Sequence, residues 1–288
     1  MQQLLADLLW LLEERELIWA DSSLLPYRHQ DWRSRYDELV TRPDPLVQWM
    51  AQAKSHFLGV YAERLFSFAL RHFYQLEILA EHHQLHQDGV TLGEVDALVR
   101  LPDGQIMQIE FATKFYLHRP DLAPHDWIGP NKNDSLFKKV SHARLHQLQI
   151  LNTLPGRAWL SDLSQTVNYR ANLMVFGRRF WHLDSAKCNE MYHLLGQDSA
   201  SNGYWARLSE LADLPFELHG DVAIKPNWLA FEASNELKIK INFAYLKTLT
   251  DQFLRDSRPL LYRINIENDG NMTERQTGSW LFIVPDTW

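Results

Sequence analysis

One stretch, residues 91–117, limits the fold more than any other part of the chain. Two runs of strand-forming residues, 91–101 and 105–117, are joined through Leu101-Pro102-Asp103-Gly104-Gln105. Proline presets φ, aspartate bonds its own backbone and glycine takes a left-handed conformation, so this run predicts a hairpin. A loop centred on Asp103 sets Val99 against Met107, Leu98 against Gln108 and Asp96 against Glu110. The flanks of that last pair, Val95, Ala97, Leu98, Ile109, Phe111 and Ala112, are apolar. Like charges across a strand pair repel. Two facing carboxylates in such a place share a proton or share a metal.

Around the hairpin the pattern alternates between helix and strand. Residues 4–18 and 46–75 have helical spacing, and the Pro- and Arg-bearing stretch 26–45 between them reads as irregular. In the longer helix, Leu58, Tyr61, Leu65 and Phe68 form one apolar stripe and Gly59, Phe66, Leu70 and Phe73 another, so both sides are covered. Glu63 lies on the second stripe, where a carboxylate must reach solvent or find a cation. A strand at 76–80, a helix at 134–152 and a strand at 170–180 complete a mixed α/β core. Further on, helical spacing at 186–196 and 204–213 gives way to short strands at 262–266 and 280–284. Residues 197–203 (QDSASNG) are the linker candidate, dividing a core with an N-terminal helical extension, 1–196, from a C-terminal module, 197–288.

Composition removes several function classes. The lone cysteine, Cys188, excludes an internal disulfide framework and a Cys-rich zinc module. No apolar run is long enough to span a bilayer, and Asp7 interrupts the N-terminal apolar stretch, so a cytoplasmic protein with no membrane association is expected. A net charge of −7 argues against a broad DNA-coating surface and leaves room for a local basic groove. Arg178, Arg179, Lys132, Lys138, Lys139 and Arg144 are the candidates for one, with scattered solvated charges as the alternative. Trp228, Trp280 and Trp288 are the candidates for base stacking. His142 and His146 have zinc-ligand spacing but no third ligand, and read as solvated, as do His82, His83 and His86 in a strand-end loop. No GxGxxG, Walker or Gly-x-Ser-x-Gly pattern is present.

A helix carboxylate, two strand carboxylates and Lys114, four residues after Glu110, make an economical phosphodiesterase site. Glu63 on a helix, GEVDALV with Asp96, and IEFATKFYL with Glu110 and Lys114 resemble the core of the PD-(D/E)XK nuclease superfamily. The Glu-x-x-x-Lys-Phe-Tyr-Leu run, followed by Gly129-Pro130-Asn131 and Asp134, more closely resembles the bacterial family called domain of unknown function 1853, over most of the chain. The resemblance implies a restriction-endonuclease-like α/β core, with a mixed central sheet flanked by helices. N-terminal helices precede that core and an additional C-terminal α+β module follows it.

It further implies Asp96 and Glu110 as ligands of Mg²⁺ (or Mn²⁺), Lys114 as the catalytic lysine and Glu63 as the helix carboxylate. Gln147, in HARLHQLQIL, is similar to a substrate-facing glutamine. The implied function is a Mg²⁺-dependent nuclease acting on DNA or RNA. Its rival is a catalytically silent nuclease fold serving as a binding or scaffold module. One departure stands out. The superfamily spacing is Glu-x-Lys, whereas position 112 is alanine and the lysine comes at 114. At about 3.3 Å per residue, the two α-carbons lie about 13 Å apart. Lys114 therefore needs a bulge or a bent-back side chain to share the site.

Overall fold

The computed structural model describes residues 1–53, 55, 57–183, 202–213, 217–230, 239–267 and 279–288. The first helices are α1 (Gln2–Leu12), α2 (Trp32–Thr41), α3 (Asp44–Ala51), α4 (Leu58–Phe73), α5 (Leu136–Leu145) and α6 (Leu154–Ser164). The strands among them are β1 (Leu17–Ala20), β2 (Glu77–Gln87), β3 (Val90–Arg100), β4 (Ile106–His118), β5 (Trp127–Ile128) and β6 (Arg170–His182). Then come β7 (Asn202–Arg207), β8 (Glu217–Val222), β9 (Ile239–Ile241), α7 (Phe243–Arg255), β10 (Leu260–Glu267) and β11 (Ser279–Val284). Among the described residues no helix is long and apolar enough to cross a membrane. By contact the chain forms two compact units, Met1–Lys114 with Phe137–Gly177, and Phe115–Leu136 with Arg178–Trp288. Residues of β4 and β6 fall in both.

In the first unit β2, β3 and β4 form an antiparallel meander, with β6 next to β4 and β1 antiparallel to β6. The Pro102-Asp103-Gly104 turn closes as expected. Leu101 N donates to Gln105 O (2.8 Å), Gln105 N donates to Asp103 Oδ1 (3.0 Å), and Gly104 has φ +85°. The register follows, with Leu98 opposite Gln108 and Val99 opposite Met107. Each sheet face is covered by helices. On one, Phe66 of α4 stacks on Phe111 (4.4 Å between centroids), which meets Phe176, which meets Trp10 of α1. On the other, Val95, Leu98 and Ile106 bury against Ile150, Leu151 and Leu160, while Ala112 and Val175 bury against Ala143 and Leu148. Burial of this kind, at roughly 25 cal/mol per Å² of apolar surface, is what holds short helices to a sheet.

Several elements differ from expectation, each for a local reason. The helix expected over 4–18 stops at Leu12: Glu14 turns left-handed (φ +49°) and Leu17–Ala20 pairs with β6 instead. The stretch 26–45 is largely helical, and Pro45 sits in the first turn of α3, where its missing N–H costs nothing. The helix expected over 46–75 is two helices folded back on each other. Arg64 of α4 donates to the carbonyl of Trp49 (2.6 Å) at the end of α3, and the Trp49 indole donates to the carbonyl of Arg64 (2.9 Å). The loop expected at His82–His86 is strand, because Asp88 and Gly89, both at positive φ, make the tight turn between β2 and β3. Helix α5 ends at Leu145 and a 3-10 turn, Gln147–Asn152, follows. Helix α6 was unexpected, although Thr153 caps it by accepting from Gly156 N and Pro155 sits in its first turn.

The second unit carries a mixed sheet. Strand β7 runs parallel to β6 and to β11, and β11, β10, β8 and β9 follow antiparallel. The helical spacing at 204–213 is therefore strand to Arg207 and a 3-10 turn from Ser209, because β7 fills the centre of the sheet. The strands expected at 262–266 and 280–284 are β10 and β11. Leu246 and Leu249 of α7 pack against Tyr262, Ile264, Leu281 and Ile283. The helix expected at 186–196, Cys188 and the boundary at 196/197 lie outside the described residues.

Gly177 is the tightest point of the first unit. It has φ +131°, and a Cβ there would sit 1.7 Å from the carbonyl oxygen of Lys114 on the neighbouring strand. Gly177→Ala should destabilise by at least about 3 kcal/mol, because backbone cannot yield as a flexible side chain can. Gly89→Ala, with φ +78° but open space around it, should cost only about 1–2 kcal/mol. Denaturant midpoints of the two variants check this; equal losses would show that close strand approach at Gly177 is unimportant.

Candidate carboxylate–lysine site

The β3–β4 ladder stops one residue before the carboxylates meet. Its last pair is Ala97 with Ile109, and beyond it the backbone N–H of Phe111 donates to Asp96 Oδ2 (2.9 Å) rather than to a strand carbonyl. The Asp96 side chain thus occupies the opening between the strands. His82, opposite it on β2, is held at φ +51°, a conformation that a non-glycine residue adopts at a cost. Asp96 and His82 line a small cavity with Glu63, Phe66 and Phe111. Glu63 therefore reaches this point from α4.

Alternation along β4 decides what else arrives. Ile109 and Phe111 are buried, with Phe111 stacked on α4; Gln108, Glu110 and Ala112 face the opposite way. Gln108 Nε2 donates to the carbonyl of Gln147 (3.0 Å), which fixes the start of the 3-10 turn against β4. Lys139 of α5 points inward: its Nζ donates to Glu110 Oε1 (2.8 Å) and to Gln147 Oε1 (3.1 Å). Its neighbour Lys138 is exposed. The ion pair is buried, with side-chain exposures of 14% for Lys139 and 2% for Glu110.

Asp96 lies close enough to Glu110 for its charge to raise the Glu110 carboxyl, and a proton or a cation between the two would relieve that repulsion. The second Glu110 oxygen, Oε2, is buried and, among the described residues, meets no N–H or O–H donor. Burial, and then the charge of Asp96, push the Glu110 carboxyl up to about 7, against the pull of Lys139. Burial also raises Asp96, opposed by the Phe111 N–H and by Lys139. Glu63 is raised by burial and then by Asp96. Three carboxylates and one lysine thus act on one another at a largely buried point of the sheet. Among the described residues, no three histidine, cysteine or carboxylate side chains converge tightly enough to enclose a cation unaided. The donor set does suit Mg²⁺, which binds through one or two carboxylates and keeps its other positions for water and phosphate.

The structure therefore brings together Glu63, Asp96, Glu110 and Gln147, and adds Lys139. Lys114 stands four residues beyond Glu110 and is half-buried. The cation acting most strongly on Glu110 and Asp96 is Lys139. Lys139 shares a helix face with Ala143, four residues on, which is fully buried, and only the packing of α5 reveals that face as the inner one. The other basic candidates go elsewhere. Arg144 pairs with Asp21 (2.6 Å), and Arg178 is buried with its guanidinium on the carbonyls of Trp228 and Leu229. Trp228, Trp280 and Trp288 are buried as well.

The shifted pair has a consequence for stability. Glu110 binds its proton more tightly in the folded chain (about 7) than at its ordinary value of 4.5. That contribution is complete below pH 4.5 and is lost as pH rises through 7. Without added metal, the melting temperature of the wild type relative to Glu110→Gln should fall on the order of 5 °C between pH 5 and pH 8. Parallel melting curves for the two proteins across that range would mean that the pair shares no proton.

Comparison with known proteins gives one match. No curated protein and no solved structure matches the chain. A family model described as Domain of unknown function (DUF1853) matches residues 6–284, and the chain belongs to that family.

Proposed function

We propose that the first unit is a metal-dependent phosphodiesterase of the PD-(D/E)XK type, with a restriction-endonuclease-like core, in which Asp96 and Glu110 hold Mg²⁺ or Mn²⁺. The observation that carries this reading is the buried Glu110 Oε2, which meets no hydrogen-bond partner among the described residues while the charge of Asp96 pushes the Glu110 carboxyl up. A bound cation would replace the shared proton, polarise a phosphate and lower the pKa of a bound water. On this reading Lys139 takes the part that the resemblance gives Lys114. Its ammonium, held by Glu110 and Gln147, offers fixed positive charge to the charge that develops on a cleaving phosphate. Glu63, raised by burial and by Asp96, is a stronger base than an ordinary carboxylate and stands where it can take a proton from an attacking water. Gln147 holds Lys139 through its side-chain oxygen and leaves its amide nitrogen to a substrate oxygen.

One observation favours the second reading, a catalytically silent nuclease fold acting as a binding module. Lys139 already pairs with Glu110, so one of the three carboxylates is balanced without metal. The two readings separate in a single assay: Mn²⁺-dependent cleavage of a mixed DNA and RNA pool, at matched folded fractions. Glu110→Gln should abolish cleavage, and Lys139→Met should slow it about 10²–10³-fold, the usual cost of one preorganised donor. Lys114→Met should stay near wild type. Equal activity in all preparations would betray a contaminant. No activity in the wild type, with a melting temperature that Mn²⁺ leaves unchanged at pH 8, would give the chain to the silent reading.

A further inference from the structure

The second unit carries an aromatic surface that the carboxylate site does not use. All eleven tryptophans are among the described residues, and Trp181 is the one classed as exposed, at 42%. It is not an isolated ring. His118 lies 4.6 Å from it and Trp127 4.9 Å, edge to face, and those two rings are 4.7 Å from each other. The cluster is built by strand register: His118 and Trp127 are cross-strand partners on β4 and β5, and Trp181 stands on β6. Such packing fixes the indole of Trp181 by its neighbours and leaves part of its surface uncovered.

Cations flank these rings. Arg179, two residues before Trp181 and so on the same strand face, holds its guanidinium 5.5 Å above Trp127. Among the described residues it has no carboxylate partner. From the cluster, the Trp205 indole donates to the carbonyl of His118 (3.1 Å), and Trp205 meets Trp288 at 4.9 Å. Arg119 and Lys132 both stand 5.4 Å from the Trp288 ring. Arg119 is paired with Asp121, whereas the Lys132 ammonium donates to the carbonyl of Thr287 (3.3 Å), meets no carboxylate among the described residues, and is repelled by Arg119 and Arg207. One further acid, Asp126, lies 3.8 Å from His118.

We propose that the His118–Trp127–Trp181 cluster, with Arg179 and Lys132, is a stacking site for single-stranded nucleic acid. Rings offer a surface that any unpaired base can cover, and cations without acidic partners attract the phosphates between bases. A duplex hides its base faces and cannot use the rings. Choosing a nucleic acid over other polyanions rests on the phosphodiesterase reading, but the site is a binding site with no part in cleavage.

The test is binding measured with cleavage removed. Fluorescence anisotropy in Glu110→Gln, with chelator and low salt, compares a short mixed-sequence single strand, its duplex and an abasic strand of equal length. The single strand should bind tighter than the other two. Adding Trp181→Ala should weaken single-strand binding about tenfold and leave the abasic strand unchanged; Trp181→Phe should keep most of the affinity. Arg179→Ala should weaken both strands. Near-UV circular dichroism verifies folding of each variant. Single-strand binding indifferent to Trp181→Ala, or equal binding of abasic and normal strands, overturns the proposal even if the wild type cleaves. Trp181-dependent binding by a protein that cleaves nothing supports it and removes only the phosphodiesterase reading.

Discussion

The hydrogen bond from the Phe111 amide to Asp96 is the contact on which the site is built. In an unbroken hairpin that amide would meet the opposite strand. Given to a side chain, it ends the ladder at Ala97 and Ile109. A carboxylate is thereby set into the sheet itself, where α4 approaches from one face and α5 from the other. The same bond stabilises the charged form of Asp96 in a place that burial makes hostile to charge. Opening the sheet and supporting the carboxylate are therefore one event.

The cost of that arrangement is spread over the surroundings. Three partly or fully buried carboxylates would each cost several kcal/mol unpaired. The aromatic column of Phe66, Phe111, Phe176 and Trp10 secures one sheet face and the Ala112–Ala143 contact the other. The small side chains at 112 and 143 also let α5 lie close to β4, close enough for Lys139 to reach Glu110. Alanine at 112, which breaks the Glu-x-Lys spacing along the strand, is thus part of what admits a lysine from the helix.

Local chemistry made the hairpin legible from sequence, down to which residues oppose which, because the Pro-Asp-Gly turn fixes register without help from the rest of the chain. Asp96 and Glu110 followed from that register. Lys139 did not follow, since its place depends on how α5 packs, twenty-nine residues from Glu110. Adjacent lysines on a helix look alike until the sheet chooses between them. The division of 46–75 into two helices was equally hidden, because the reciprocal bonds of Arg64 and Trp49 form only after the chain has folded back. In the second unit β7 has a helical apolar pattern and is strand, because flanking strands supply what its periodicity does not.

On the proposed reading, charge sets an order of events. With Glu63, Asp96 and Glu110 ionised and Lys139 the lysine set among them, those four groups carry an excess of two negative charges, and a phosphodiester would be repelled from them. A single proton on the pair halves that excess but leaves nothing to hold a phosphate. A divalent cation removes it and presents open coordination positions. Substrate affinity in the first unit should therefore depend on metal, because the cation both cancels the excess charge and offers the phosphate its open positions.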